Sequence, residues 1–307
     1  MYRKWHICIT SRTIISLFTT VRQYLFDIRI PQPYNPCINM KGSDTMAKYA
    51  LGFIGVGNMG GAVATAACKK IPGGVIISNR TMSRAENLAK ELGCETGTFE
   101  EVAENSEFVV IGTLPGAVGE VAGRIYPAMK KSGAVLVSMA SGVSIADLHS
   151  YTDPDFPVIR IMPNTPVAVC QGLVLYAADE KTPAATISRL CGLLSCAGAV
   201  EPLDERLFTA GSTVAGCGPA FAALFIEALA DGGVKAGLPR DKAIRFAEQM
   251  LLGAAALALS TGKHPGQLKD EVCSPGGSTI EGIQVLEEGG FRAAVMRAVV
   301  AAWDKHR

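Results

Sequence analysis

The stretch that decides the fold is residues 49–63, which read YALGFIGVGNMGGAV. An apolar segment is followed by Gly55, Gly57 and Gly60, and then by a run with the composition of a helix. This G-x-G-x-x-G pattern between a strand and a helix is typical of a dinucleotide-binding turn. The first glycine permits the tight turn, the second lets a pyrophosphate approach the backbone, and the third lets the helix pack closely on the sheet.

The end of the next predicted strand, residues 74–80, indicates which dinucleotide binds. It carries Ser78, Asn79 and Arg80, and no carboxylate follows before Glu86. An NAD site usually has an acidic residue there, which binds the ribose 2′-hydroxyl. An arginine beside hydroxyl and amide groups suits a 2′-phosphate instead. The sequence therefore favours NADPH, with NADH as the alternative, unless Arg80 is only a solvated charge.

The α/β pattern continues beyond this point. Buried strands are predicted in residues 107–115, 133–142 and 157–166, with a crossover helix in residues 117–130. This alternation predicts a mostly parallel, doubly wound sheet with ligands at the carboxyl ends of its strands. The candidate cofactor-binding residues at these ends and in the turn are Gly55, Gly57, Asn58, Met59, Gly60, Ser78, Asn79, Arg80, Thr113, Leu114, Pro115, Ala140 and Asn164.

The second half of the chain predicts long helices. Residues 218–237 predict a helix that ends at Gly232 and Gly233, and residues 238–260 predict a second one. The latter half of the second helix is apolar on most faces. A small domain cannot bury such a helix alone, so we expect a second copy of the chain to cover it.

The domain organisation follows from these patterns. Residues 1–45 contain six Lys or Arg against two acidic residues, without sustained periodicity, and Met46 directly precedes the first strand. We interpret residues 1–46 as a leader or a non-native extension. Residues 47–208 are predicted to form a Rossmann-type NADP-binding domain. Residues 209–307 are predicted to form an all-α domain for substrate binding and dimerisation.

The composition excludes several classes of partner. A net charge of +1 offers no field for nucleic acid or an anionic membrane surface. The longest apolar run, residues 250–259, is shorter than a bilayer span. Nine cysteines without a C-x-x-C pair and only four histidines favour reduced thiols in a cytoplasmic protein, with no metal site.

The stretch 270–291 reads DEVCSPGGSTIEGIQVLEEGGF. Ser278 and Glu281 match the capping-box pattern S-x-x-E, which predicts Ser278 as the N-cap of a helix. A helix N-terminus that follows two glycines also exposes N–H groups, where a small carboxylate would bind. The cap and the pocket are therefore compatible interpretations of this stretch.

Taken together, residues 49–303 resemble the pyrroline-5-carboxylate reductases. The matching stretches are GFIGVGNMG, VIRIMPNTP, GCGPAFAALFIEALADGGVKAGLPR and HPGQLKDEVCSPGGSTIEGIQVLEEGGF, of which the last two are the specific ones. The resemblance implies NAD(P)H-dependent reduction of a cyclic imine to proline by homodimers that often assemble further. One departure is Leu114, because the family usually has Val-Lys-Pro where this chain has Thr113-Leu114-Pro115.

The resemblance also implies the residues of the substrate site. Ser274, Gly277, Ser278 and Thr279 would line it, with backbone N–H groups and hydroxyls binding the substrate carboxylate. Thr279 would lie beside the ring nitrogen and is the candidate catalytic residue. A threonine hydroxyl is a weak acid, so we expect it to orient the substrate or relay a proton.

Two other functions remain open on the sequence. A β-hydroxyacid dehydrogenase or related imine reductase would have a similar layout, but those hydroxyacid enzymes use a lysine on the helix after the Rossmann domain, and residues 221–232 contain none. A non-catalytic NADP-binding protein would not need the Ser-Thr pair. Glu227, Asp231 and His264 are interpreted as surface, interface or helix-start residues without a catalytic role.

Overall fold

The structure is a computed structural model, and it describes residues 47–305. The predicted leader, residues 1–46, lies outside the described residues. The remainder forms one eight-stranded sheet with flanking helices, followed by a region of helices.

The sheet has the strand order β3-β2-β1-β4-β5-β6-β7-β8. Its strands are β1 Tyr49–Ile54, β2 Val75–Ser78, β3 Glu95–Thr96, β4 Ser106–Ile111, β5 Val135–Ser138, β6 Val158–Met162, β7 Gly172–Ala178 and β8 Gly198–Pro202. All neighbouring strands are parallel except β6 and β7, which are antiparallel. The prediction of a mostly parallel, doubly wound sheet is confirmed.

Six α-helices connect the strands. They are α1 Asn58–Lys70, α2 Met82–Leu92, α3 Phe99–Asn105, α4 Val118–Ser132, α5 Ile145–Tyr151 and α6 Ala184–Leu194. Short 3-10 turns precede α4 and follow β6. The predicted crossover helix corresponds to α4 and the turn before it.

The two faces of the sheet bury alternate side chains of each strand, as the pleat requires. In β4, Phe108 and Val110 pack against α1 and α2, whereas Val109 and Ile111 pack against α3, α4 and α5. All four side chains are fully buried. This double burial explains why β4 appears in the sequence as a continuous apolar run.

The C-terminal region contains six further α-helices and a π-helical turn. The helices are α7 Phe208–Ser212, α8 Gly218–Lys235, α9 Arg240–Thr261, α10 Pro265–Glu271, α11 Ser278–Glu288 and α12 Phe291–Asp304, and the turn, Thr213–Cys217, joins α7 to α8. The change to helices near Thr209 agrees with the sequence pattern. The exact domain boundary stays a prediction.

The predicted end of the first long helix was wrong. Helix α8 continues through Gly232 and Gly233 and ends before Gly237, which has a φ of +102°. A Cβ atom on Gly233 would lie 3.3 Å from the side chains of Leu238 and Ala243. The glycine therefore allows α8 and α9 to pack closely rather than ending the helix.

Much of the apolar surface of α8 and α9 is exposed in the single chain. Leu224 is 66% exposed, Phe246 57% and Leu259 75%. In the described part of the chain, Glu205–Lys235 and Arg240–Thr261 are long and apolar enough to cross a membrane by length and composition alone. The shortness of the run 250–259 therefore does not by itself exclude a span. Helices that a second copy of the chain covers are also apolar and exposed when one chain is considered alone.

Candidate cofactor and substrate sites

The glycines of the turn after β1 have the geometry that a dinucleotide requires. Gly55 has a φ of +97°, and a Cβ atom there would lie 2.8 Å from the backbone nitrogen of Thr113. A Cβ atom on Gly60 would lie 2.2 Å from the carbonyl oxygen of Gly55, so α1 packs directly on the turn. A Cβ atom on Gly57 would meet no atom of the described residues within 4 Å. The backbone of Gly57 is therefore open to a ligand.

The residues that follow β4 lie against the glycine turn and form the other part of the candidate cofactor site. Gly112, which is not among the predicted cofactor-binding residues, lies so close to the turn that a Cβ atom there would be 2.5 Å from the carbonyl oxygen of Gly55. The Thr113 hydroxyl is buried and has no hydrogen-bond partner among residues 47–305. Leu114 is 82% exposed. An open glycine backbone beside an unpaired buried hydroxyl fits a dinucleotide.

The candidate side chains at the end of β2 differ in how many of their polar groups are already hydrogen-bonded within the chain. The Ser78 side chain is fully buried and donates a hydrogen bond of 2.5 Å to the carbonyl oxygen of Gly97. The Asn79 side chain donates to the carbonyl oxygen of Thr81 at 3.2 Å. Arg80 is exposed, and within the described residues its side chain has no hydrogen bond or ion pair. Of the three residues, Arg80 has the side chain most available to a cofactor.

A solvent-open cavity of about 340 Å³ lies beside the glycine turn. Its lining residues include Gly57, Asn58 and Gly61 on one side and Arg84, Asn87 and Leu88 of α2 on the other. Met59 is partly buried and Asn58 is exposed at the start of α1. Helix α2 therefore borders the candidate cofactor site, because it lines the same cavity as the glycine turn.

The two remaining candidates lie at the ends of β5 and β6. Ala140 is buried and its N–H donates to the Ser138 hydroxyl at 3.3 Å. The Asn164 side chain donates to the carbonyl oxygen of Ala215 at 3.0 Å and accepts from the N–H of Leu173 at 2.8 Å. One N–H and one lone pair of the Asn164 amide remain for a ligand.

The predicted substrate loop is a tight turn in front of α11. The N–H of Gly277 donates to the carbonyl oxygen of Ser274 at 3.0 Å, and Gly276 has a φ of +66°. A Cβ atom on Gly277 would lie 2.4 Å from the Ser274 hydroxyl oxygen. Both glycines are therefore required by the shape of this turn.

The predicted N-cap of α11 was wrong by one position. The N-cap is Gly277, with a φ of −81° and a ψ of 163°, and Ser278 is the first helical residue. Glycine has no side chain, and no side-chain cap is formed, so the capping box between Ser278 and Glu281 is absent. The first N–H groups of α11 thus remain open to a ligand.

A series of contacts connects the substrate loop with the cofactor edge of the sheet. Helix α11 packs on α12, and α12 packs on the π-helical turn. The turn contains Ala215, whose carbonyl oxygen accepts the hydrogen bond from Asn164. Within one chain, Ser274, Ser278 and Thr279 are exposed.

The other polar candidates have structural roles. Asp231 forms an ion pair of 2.5 Å with Arg240, which links α8 to α9. The His264 side chain accepts a hydrogen bond from the N–H of Gly266 at 3.1 Å and caps α10. No group of metal-binding side chains is present among residues 47–305.

The comparisons with known proteins identify the family. Residues 205–307 match the family model described as pyrroline-5-carboxylate reductase dimerisation, and residues 50–142 match that described as NADP oxidoreductase, coenzyme F420-dependent. A pyrroline-5-carboxylate reductase of Pisum sativum is 41% identical over 268 residues, which cover 84% of this chain and 95% of that protein. The chain belongs to the pyrroline-5-carboxylate reductase family. The predicted family is thereby confirmed.

Solved pyrroline-5-carboxylate reductases share the architecture. The Coxiella burnetii enzyme superposes with a TM-score of 0.79 at 27% identity, covering 84% of this chain and 97% of that one. The Plasmodium falciparum enzyme, crystallised with NADP bound, gives a TM-score of 0.73 at 28% identity, covering 85% and 98%. The predicted fold class, a Rossmann-type sheet followed by an all-α dimerisation domain, is confirmed.

Proposed function

We propose that this reductase reduces pyrroline-5-carboxylate to proline with NADPH, and that the substrate carboxylate binds at the N-terminus of α11. The observation that carries this assignment is the helix start, which has a glycine N-cap and no side-chain cap. It lies within residues 205–307, which match the family model of pyrroline-5-carboxylate reductase dimerisation. Bound NADPH supplies the hydride that reduces the C=N bond.

The substrate carboxylate takes the place of the missing cap. The first N–H groups of a helix carry partial positive charge and point out of its end. Ser274 and Ser278 add hydroxyl donors on either side of Gly277, and all three residues line one turn. A small carboxylate is thus held by backbone and hydroxyl donors without a cationic side chain.

Thr279 is the second helical residue of α11, one position after Ser278. Its side chain is exposed and makes no hydrogen bond within the described residues. We assign its hydroxyl to the imine nitrogen, where it orients the ring and relays the proton that the product amine gains. A hydroxyl is too weak an acid to protonate the nitrogen unaided, so positioning is its main contribution.

The cofactor is assigned to the edge formed by the glycine turn and the end of β4. The backbone of Gly57 receives the pyrophosphate, because no atom of residues 47–305 fills the space beside it. The Thr113 hydroxyl gains a partner from the cofactor, and Arg80 binds the 2′-phosphate. Leu114 offers apolar contact where the family usually has a lysine, which leaves the 2′-phosphate to Arg80 at the end of β2.

We assign the exposed apolar face of the helical region as the interface of a homodimer. The residues of α8, α9 and α11 are largely exposed in one chain, although the sequence there is apolar. Covering that face with a second copy removes it from water and shelters the exposed substrate loop. The seven described cysteines are free thiols, as in proteins of a reducing cytoplasm, which is the proposed location.

The test is oxidation of NADPH, followed by its absorbance, in the presence of pyrroline-5-carboxylate. The controls are a β-hydroxyacid with NADP, and NADPH without substrate. Turnover with the imine alone is expected. Turnover with the hydroxyacid alone would assign the chain to the other class of dehydrogenase, and binding of NADPH without turnover would identify a non-catalytic protein.

A further inference from the structure

Arg84 lies in the first turn of α2 and faces the glycine turn. It lines the cavity of about 340 Å³ that Gly57 and Asn58 line from the opposite side. Its side chain is exposed, and among residues 47–305 it makes no hydrogen bond or ion pair. The guanidinium is therefore available to a ligand that lies over the open backbone of Gly57.

The position of Arg84 is unfavourable for the helix itself. The N–H groups of a first helical turn carry partial positive charge, so a cation there is repelled. The first turn of α2 has no acidic residue, and its N-cap, Thr81, forms no side-chain cap. Arg80 adds a second cation one residue before that cap. An anion between the two arginines would remove this repulsion.

Few other groups could hold an anion at this end of the sheet. The Ser78 hydroxyl is buried against Gly97, and Asn79 is bonded to Thr81. The one other charged residue lining the cavity within the described chain is Glu91, almost two turns further along α2. Among the described residues that line the cavity, Arg84 is the one cation. Arg80 lies two residues after Ser78, whose carbonyl oxygen accepts a hydrogen bond from the N–H of Gly55.

We propose that Arg84 is a second ligand of the cofactor 2′-phosphate, beside Arg80, and that it sets the preference for NADPH over NADH. This inference rests on the proposed NADPH-dependent function. A guanidinium donates charge-assisted hydrogen bonds to phosphate oxygens, and such bonds are about twice as strong as neutral ones. The 2′-hydroxyl of NADH has no charge, so NADH gains little from Arg84.

Calorimetric titration of the full chain with two fragments of the cofactor tests the contact directly. Arg84→Gln is expected to weaken binding of 2′,5′-ADP about tenfold and to leave binding of 5′-AMP unchanged. Arg84→Lys should retain part of the affinity because it keeps the charge. The matched control is Lys90→Gln, an exposed cation near the far end of α2, which should change neither affinity.

Steady-state kinetics provide the second measurement. For Arg84→Gln, kcat/KM for NADPH should fall about tenfold while kcat/KM for NADH stays constant, which also shows that the variant is folded. Equal losses with both fragments or both cofactors, or no loss at all, would overturn the role of Arg84. Failure of the wild-type chain to reduce pyrroline-5-carboxylate would instead refute the proposed function, whatever the calorimetric comparison shows.

Discussion

The side chain of Asn164 joins the end of β6 to the π-helical turn, because it donates a hydrogen bond of 3.0 Å to the carbonyl oxygen of Ala215. Its oxygen accepts from the N–H of Leu173, the second residue of β7. One amide therefore holds together three segments at the junction of the sheet and the helices. A turn with π-helical hydrogen bonding often marks a functional position.

Replacing Asn164 by alanine should destabilise the protein. The partly buried N–H of Leu173 and the carbonyl of Ala215 would both lose their partner, at about 1–3 kcal/mol for each unsatisfied group. Urea unfolding at a fixed protein concentration measures the change. Asn87→Ala, at an exposed position of α2, is the control and should be neutral. Equal stability of the two variants would show that the junction does not depend on Asn164.

Replacing Gly57 or Gly60 by alanine should change different properties of the protein. The first substitution should affect NADPH binding and the second should affect thermal stability. Gly57 has a φ of −72° and free space around its Cα, so Gly57→Ala should fold normally but lose NADPH binding. Gly60→Ala should unfold at lower temperature, because its methyl group would lie 2.2 Å from the carbonyl oxygen of Gly55. Thermal unfolding and NADPH titration separate the two effects. Normal NADPH affinity in Gly57→Ala would contradict the assigned pyrophosphate site.

Removing the hydroxyl of Thr279 should slow turnover more than it weakens cofactor binding. Thr279→Ala is expected to lower kcat about 10- to 100-fold, which corresponds to the loss of one hydrogen bond to a charged group. Thr279→Ser keeps the hydroxyl and should retain most of the activity. The measurement is kcat with saturating NADPH, together with the Kd for NADPH. An unchanged kcat in Thr279→Ala would exclude the assigned role.

Charges on the apolar face of α9 should dissociate the assembly. Leu252 and Leu259 lie two turns apart on this helix and are 52% and 75% exposed in one chain. Leu252→Glu with Leu259→Glu would bury two unpaired carboxylates, and we expect the dimer Kd to rise more than roughly 100-fold. Sedimentation across a concentration series measures it, with Lys131→Glu on α4 as the control. An unaffected Kd would place the interface elsewhere.

Two cysteines should differ in their reactivity with pH. A hydrogen bond with the Cys68 thiol lowers the pKa of Cys94, whereas burial raises the pKa of Cys196 to about 11. A lowered pKa means more thiolate at a given pH, so Cys94 should be alkylated first near pH 8. The rate at Cys196 should rise about tenfold per pH unit up to its pKa. Peptide mass spectrometry after iodoacetamide treatment resolves both, and faster labelling of Cys196 would contradict the assignment.

The local parts of the fold were predictable because their signals are short in sequence. The glycine turn after β1 combines an apolar strand, fixed glycine spacing and a helix within 15 residues, and each glycine has the predicted environment. Strands β7 and β8 were not predicted. Strand β7 follows β6 through a 3-10 turn and pairs with it antiparallel, so the βαβ alternation is interrupted there. Strand β8 joins the sheet only through β7, to which α6 connects it in parallel.

Other features depend on contacts that are distant in sequence or on backbone angles. The hydroxyl of Ser78 is occupied by Gly97, 19 residues away, and no local pattern reveals that bond. The end of α8 was placed too early because Gly233 packs against Ala243 of the next helix. The cap of α11 was misplaced by one residue, since both Gly277 and Ser278 suit an N-cap and only the backbone angles decide between them.

Because no side chain caps the N-terminus of α11, the bound substrate would supply the missing hydrogen-bond acceptor of the first helical turn. Without a capping side chain, the first turn of this helix should fray in the free enzyme and exchange its amide hydrogens rapidly. A bound carboxylate would complete the helix and slow that exchange, and proline, the proposed product, should do the same through its own carboxylate. Recognition of the substrate is then measurable as local folding, residue by residue, before any hydride is transferred.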